Sequence, residues 1–140
     1  MSDTISNTQS KISSLTSHDI QIDVISDYIG QQATEKNNDQ QFVFSYTITV
    51  SNQSAYTVQL LNRHWLITDA NGETHTVTGE GVIGKQPHIS AGESFTYTSG
   101  CVLKSPLGNM QGHYQMQCSN GQLIQVDIPL FRLAKPNILN

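Results

Sequence analysis

Apolar and polar residues alternate along most of the chain beyond its first seventeen positions. Phe42, Phe44, Tyr46, Ile48 and Val50 share one parity, and Val43, Ser45, Thr47, Thr49 and Ser51 share the other. A period of two predicts a strand with one apolar face and one largely hydroxylated face. Ile20, Ile22 and Val24 predict a strand before it, with residues 36–41 as the polar loop between them. Residues 58–69 predict the next strand, on which Leu61, Arg63, Trp65 and Ile67 share a parity. Leu61 and Ile67 in phase with Trp65 place the indole in the core and put Arg63 near an edge. Asn71-Gly72 then signals a tight hairpin into residues 73–78. Residues 79–92 read as a loop, and Phe95 and Tyr97 alternate again over residues 94–99. Tyr114, Met116 and Cys118 fall on one side of residues 113–118, and Asn120-Gly121 turns the chain into a last strand carrying Ile124, Val126, Ile128 and Leu130.

About seven strands follow from this pattern, and no segment has a helical period. The expected fold is all-β, an immunoglobulin/fibronectin type III-like β-sandwich of two antiparallel sheets. Trp65 and Tyr114 echo the core tryptophan and tyrosine corner of such sandwiches; two ordinary core aromatics account for them equally. Residues 1–17 are rich in Ser, Thr and Asn and lack a period, which predicts a mobile tail ahead of one domain, residues 18–140.

Composition narrows the function classes. With 13% charged residues and a net charge of −4, the chain has no basic stripe for phosphates, so no nucleic-acid partner is expected. No run is apolar enough for a signal peptide or a membrane span, so a cytoplasmic protein without a membrane partner is expected. Cys101 and Cys118 lie outside any C-x-x-C spacing, and a reducing compartment keeps them as thiols.

The stretch TGEGVIGKQP matches two phosphate-binding motifs. Gly79, Gly81 and Gly84 spell G-x-G-x-x-G, and Gly84-Lys85 ends a near P-loop. Both motifs need a helix opening at the glycines, and residues 85–92 have no helical period. Gln86 also stands where a P-loop needs Ser or Thr for magnesium. The glycines are expected to be architectural, serving positive φ and close approach. A small anion-binding nest beside Lys85 is compatible with that, although Glu80 would repel an anion. His18, His64, His75, His88 and His113 show no metal-ligand spacing, and no nucleophile elbow is present. No catalytic residues, metal ligands or cofactor are expected.

The strings RHWLITD, GEGVIGKQPHISAGESFTYTSG, MQGHYQM and IPLFRL resemble the ApaG family, also called CorD, from about Ile20 to Asn140. SPLGNM differs only in its first position from the commoner T-P-x-G-x-M. The resemblance implies a fibronectin type III-like sandwich. It also implies kinship with a domain that occurs in certain eukaryotic F-box proteins, where it is viewed as a protein-interaction module. It further implies a genetic link to cobalt resistance and magnesium efflux, and it supplies no catalytic residue set. The reading is therefore a non-enzymatic module that binds a protein partner. Arg63, His64, Gly79, Glu80, Gly81, Gly84 and Lys85 are its candidate recognition residues. The rival reading is a small-ligand, anion or divalent-cation binding protein.

Overall fold

A computed structural model of the chain describes residues 15–36 and 39–138. It is a β-sandwich of two antiparallel sheets, as the alternation predicts. One sheet has the order β1-β2-β6, from β1 (Ile20–Ala33), β2 (Gln40–Asn52) and β6 (Ser94–Leu103). The other has the order β4-β3-β7-β8, from β4 (Thr74–Glu80), β3 (Val58–Asp69), β7 (Leu107–Cys118) and β8 (Leu123–Ala134). A two-residue strand, β5 (His88–Ile89), pairs with β3 beyond the end of β4. It lies within the stretch expected to be loop, and it makes eight strands rather than about seven.

Phe42, Phe44, Tyr46, Ile48 and Val50 of β2 are all buried and pack across the sandwich against Trp65, Tyr114, Met116 and Val126. Trp65 is 2% exposed and meets the Tyr46 ring edge-on at 5.4 Å. Tyr114 is fully buried, and its hydroxyl hydrogen-bonds that of Tyr97, joining β7 of one sheet to β6 of the other.

Three departures from the expected strands have local causes. β3 changes phase because Leu61 is a bulged residue, lying between the pairs Leu60↔Met116 and Asn62↔Gln115. Leu60 is therefore fully buried and Leu61 only half-buried, so Leu61 is not in phase with Trp65. β7 begins at Leu107, six residues before the expected start at His113. Gly108 and Gly112 both sit where β3 crowds the strand. A Cβ on Gly112 would lie 2.0 Å from the His64 carbonyl oxygen.

The third departure lies at the N-terminus. Residues 1–14 of the expected tail lie outside the described residues. Its last residues are ordered: Leu15 is 2% exposed, and Thr16 caps a short 3-10 helix, Ser17–Asp19. The Gln122 side chain grips the Leu15 backbone from both sides, accepting from its N–H at 3.0 Å and donating to its carbonyl at 2.6 Å.

Candidate recognition surface

The glycine-rich stretch forms where β4 leaves β3 at the Leu61 bulge. The Leu61 carbonyl accepts from the Gly81 N–H at 2.7 Å and from the Gln86 side-chain amide at 3.0 Å. Above this base Val82 and Lys85 close a small hairpin, each N–H donating to the other's carbonyl at 2.8 and 2.9 Å. The two turn residues, Ile83 and Gly84, have φ of 44° and 76°, the handedness of a type I′ connection. Val82 is buried beneath the turn, while Ile83 at its tip is 51% exposed.

Arg63 braces this hairpin from the inter-sheet side. Its Nη1 donates to the carbonyls of Glu80 at 3.0 Å and Gly81 at 2.9 Å. Gly79 makes room for it, since a Cβ there would lie 2.9 Å from both guanidinium nitrogens. Gly81 has φ 61°, and a Cβ on it would lie 2.0 Å from the Lys85 carbonyl oxygen. Thus Gly79 seats a guanidinium, while Gly81 and Gly84 turn the chain. The N–H groups of Gly81, Val82 and Lys85 are all donated internally. Glu80 and Lys85 are exposed.

His64 points away from Arg63, onto the outer face of its sheet, because neighbouring strand residues alternate. There it is register partner of His113, which in turn faces Asp127 on β8. The two imidazoles stack at 4.9 Å with an 18° angle between planes. They line a cleft of about 600 Å³ with Asn62, Arg63, Gly79, Glu80, Gln115 and Gln125. Of the candidate residues, Arg63, His64, Gly79 and Glu80 border this cleft, while Gly81, Gly84 and Lys85 build the adjoining hairpin. Nothing in the spacing of His64 and His113 could reveal their contact, which depends on the β3–β7 register.

A third cluster surrounds the Asn71-Gly72 turn. Asp69, Glu73 and His75 each offer a ligand atom within 4.8 Å of the others. Asp69 is buried and accepts from the Ser105 hydroxyl at 2.6 Å, and Glu73 pairs with Lys104 at 3.6 Å. The signal was available in D-x-N-G-E-x-H, since a tight turn folds its flanking residues together. Two carboxylates and one imidazole suit a hard or borderline divalent cation.

Between the edges of β4 and β6 the sandwich opens into a trough. Its floor is Tyr46, Arg63, Trp65, Ile67 and Met110, with Val77 on one wall and Ser99 and Val102 on the other. It continues beneath Ile83 and Gly84 past Tyr97. Burial, with the Asp69 carboxylate adding to it, pushes the Cys101 thiol at the trough up to about 11. Such a thiol stays protonated at neutral pH, the opposite of an activated nucleophile. Burial also raises Tyr97 and Tyr114 above the ordinary tyrosine range.

The ApaG domain model matches residues 32–118 of the chain. Protein ApaG of Proteus mirabilis (strain HI4320) is 50% identical over 125 residues, covering 89% of this chain and 98% of that protein. The crystal structure of the putative ApaA protein from Bordetella pertussis superposes with a TM-score of 0.78 at 39% identity, covering 85% of this chain and 95% of that one. A structural-genomics target solved by X-ray crystallography superposes with a TM-score of 0.85 at 42% identity, covering 89% and 92%. Sequence identity and shared fold across nearly the full length of these relatives lead to one conclusion: the chain belongs to the ApaG domain family.

Proposed function

We propose that the protein is a non-enzymatic interaction module that holds a partner protein against the Val82–Lys85 hairpin. Ile83 carries this reading. A β-branched residue at positive φ is a backbone outlier whose strain costs about 1–3 kcal/mol, and glycine would relieve it. The isoleucine side chain contributes little to the core, because it is 51% exposed at the tip. Its base, however, is fixed by Val82, Arg63 and the Leu61 carbonyl. A rigid hairpin offering one apolar side chain to solvent suits an anchor for a partner's pocket.

The test is photo-crosslinking in cells, with a photoreactive residue at position 83 and a control at Leu130, which is similarly exposed. Discrete protein adducts from position 83 and not from position 130 are expected. Identical adducts from both positions, or none from either, would overturn the reading.

The Asp69–Glu73–His75 cluster favours a second reading, a divalent-cation binder acting in cobalt or magnesium balance. The family's genetic association gives that reading its context. A cation bound only by the folded state at 100 times its dissociation constant adds about 2.7 kcal/mol of stability. Unfolding titrations with cobalt and with magnesium separate the two readings. A shift of that size, lost in His75→Ala, would promote the cation reading.

A further inference from the structure

Among the described residues five strands form the lateral edges of the two sheets, and all but β6 are blunted, β5 by its length of two residues. β1 has Ile29 as a bulged residue, carries Asp23 and Asp27, and packs beside β8. Ser26 Oγ donates to the Arg132 carbonyl there at 3.0 Å. β8 carries Asp127, Pro129 and Arg132, and its register with β7 slips opposite Pro129 and Leu130. β4 has only seven residues and closes on Gly79-Glu80. Charge, proline, bulges and shortness are the usual devices by which native edges avoid pairing.

β6 has none of these devices. Its ten residues, SFTYTSGCVL, include no charge and no proline. Its register with β2 runs without a bulge from Leu103↔Phe42 to Ser94↔Ser51. Among the described residues β6 pairs with β2 alone, so the outward row of N–H and C=O groups lacks a strand partner. Its outer face carries Thr96 and Thr98, which pair with Thr49 and Thr47 at 3.0 and 2.8 Å, and the exposed Val102 near its end. Its inner face borders the trough, where Tyr46, Trp65, Ile67 and Met110 lie beside Arg63, and which becomes more polar as it runs on beneath Ile83.

We propose that β6 takes an extended segment of the partner protein by strand addition. The inference rests on the interaction reading above and specifies its partner. Backbone pairing along β6 would set register. Alternate side chains of the segment would enter the trough, apolar or aromatic ones where Tyr46, Trp65, Ile67 and Met110 line it and a polar or acidic one where Arg63 does. The intervening side chains would join the threonine face and should be small and hydroxylated. The trough and the hairpin form one continuous surface, so a partner anchored at Ile83 has the edge of β6 alongside.

The chain supplies a probe with this alternation. A lysine-tailed peptide repeating Phe42 to Val50 copies the segment that β6 already pairs with on its other side. Titrated into the 15N-labelled full chain, it should protect alternate β6 amides that exchange rapidly in the free protein. A scrambled peptide without the alternation should not. Gly100→Lys with Val102→Lys should weaken the peptide by on the order of tenfold. Both positions are exposed, and a Cβ on Gly100 meets the Phe44 carbonyl at an ordinary 3.5 Å, so thermal stability should hold. Val102→Lys alone serves if the double variant is unstable.

Peptide shifts confined to the Ile83 hairpin would overturn strand addition while leaving the interaction reading standing. So would a lysine variant that binds as well as the parent, or no binding by either. If the β6 amides are already slow to exchange, and become fast on dilution or on deletion of residues 1–14, the edge belongs to a second copy or to the chain's own terminus. That too would overturn the proposal. Crosslinking at position 83 decides the interaction reading independently.

Discussion

Three tight hairpins among the described residues differ in handedness as well as in chemistry. The turns at Asn71-Gly72 and Asn120-Gly121 put only their glycines at positive φ, 89° and 93°, and nothing lies within 4 Å of a would-be Cβ there, whereas Ile83 and Gly84 are both at positive φ. Asn71 and Asn120 each accept a backbone N–H two residues on, at 3.0 and 2.9 Å, so the turns are locally self-sufficient. The Ile83-Gly84 turn has no such local support. It stands on Val82 in the core, on Arg63 and on the Leu61 bulge, and its first turn residue is strained. A turn that serves only to reverse the chain can be read from two letters. A turn held in place by distant side chains against its own preference requires the fold to be known.

Substitution of the glycines should separate these kinds of turn most sharply. Gly81→Val should cost about 3–5 kcal/mol, combining backbone strain with a clash against the Lys85 carbonyl. Gly72→Ala, with the same sign of φ but open space around it, should cost only about 1 kcal/mol. Denaturant unfolding of both variants measures the difference, and equal costs would erase the distinction.

Alkaline pH loads buried groups near both kinds of turn, Cys101 beside Asp69 at the base of the Asn71-Gly72 turn and Tyr97 beneath the third hairpin. The Cys101 thiol ionises near 9.0 in an unfolded chain and at about 11 when folded. Its contribution is fully present below about pH 9 and is lost as pH rises toward about 11, by about 2–3 kcal/mol. Tyr97 and Tyr114 act in the same direction above pH 10.0, because burial raises both. Unfolding free energies across this window should fall, and Cys101→Val should remove the part of the fall that begins near pH 9.

Ile83→Gly should raise stability by about 1 kcal/mol by relieving the positive φ, while removing the apolar tip that the interaction reading requires. A loss of stability would mean that the isoleucine supports the fold. Lys85→Ala, the smallest effect, should stay within about 0.5 kcal/mol of the parent, because only the backbone of this exposed residue is used in the turn.

The strand of Phe42 to Val50 was legible because it has no bulge against β6 and keeps one apolar parity throughout. β3 was legible only in part, because the Leu61 bulge resets parity and no residue type announces it. The early half of β7 was hidden for a different reason. Gly108 and Gly112 have the letters of a turn, and only the approach of the β3 backbone explains them as strand residues. Leu15 was masked by polar neighbours, since one apolar residue makes no period. Of the candidate surface, the role of the glycines as backbone devices could be argued from the missing helix. The opposite facing of Arg63 and His64 follows from alternation, but the stacking of His64 on His113 depends on register and could not be read.

The hydroxyl contact between Tyr97 and Tyr114 has a mechanical consequence. It is a rivet through the middle of the sandwich, placed where the two layers would otherwise slide past each other on smooth apolar side chains. Tyr97 belongs to the strand with the open edge, and Tyr114 is followed backward along β7 by His113, which emerges on the far side of the molecule. Two side chains and a single peptide bond thus join one flank of the molecule to the opposite one.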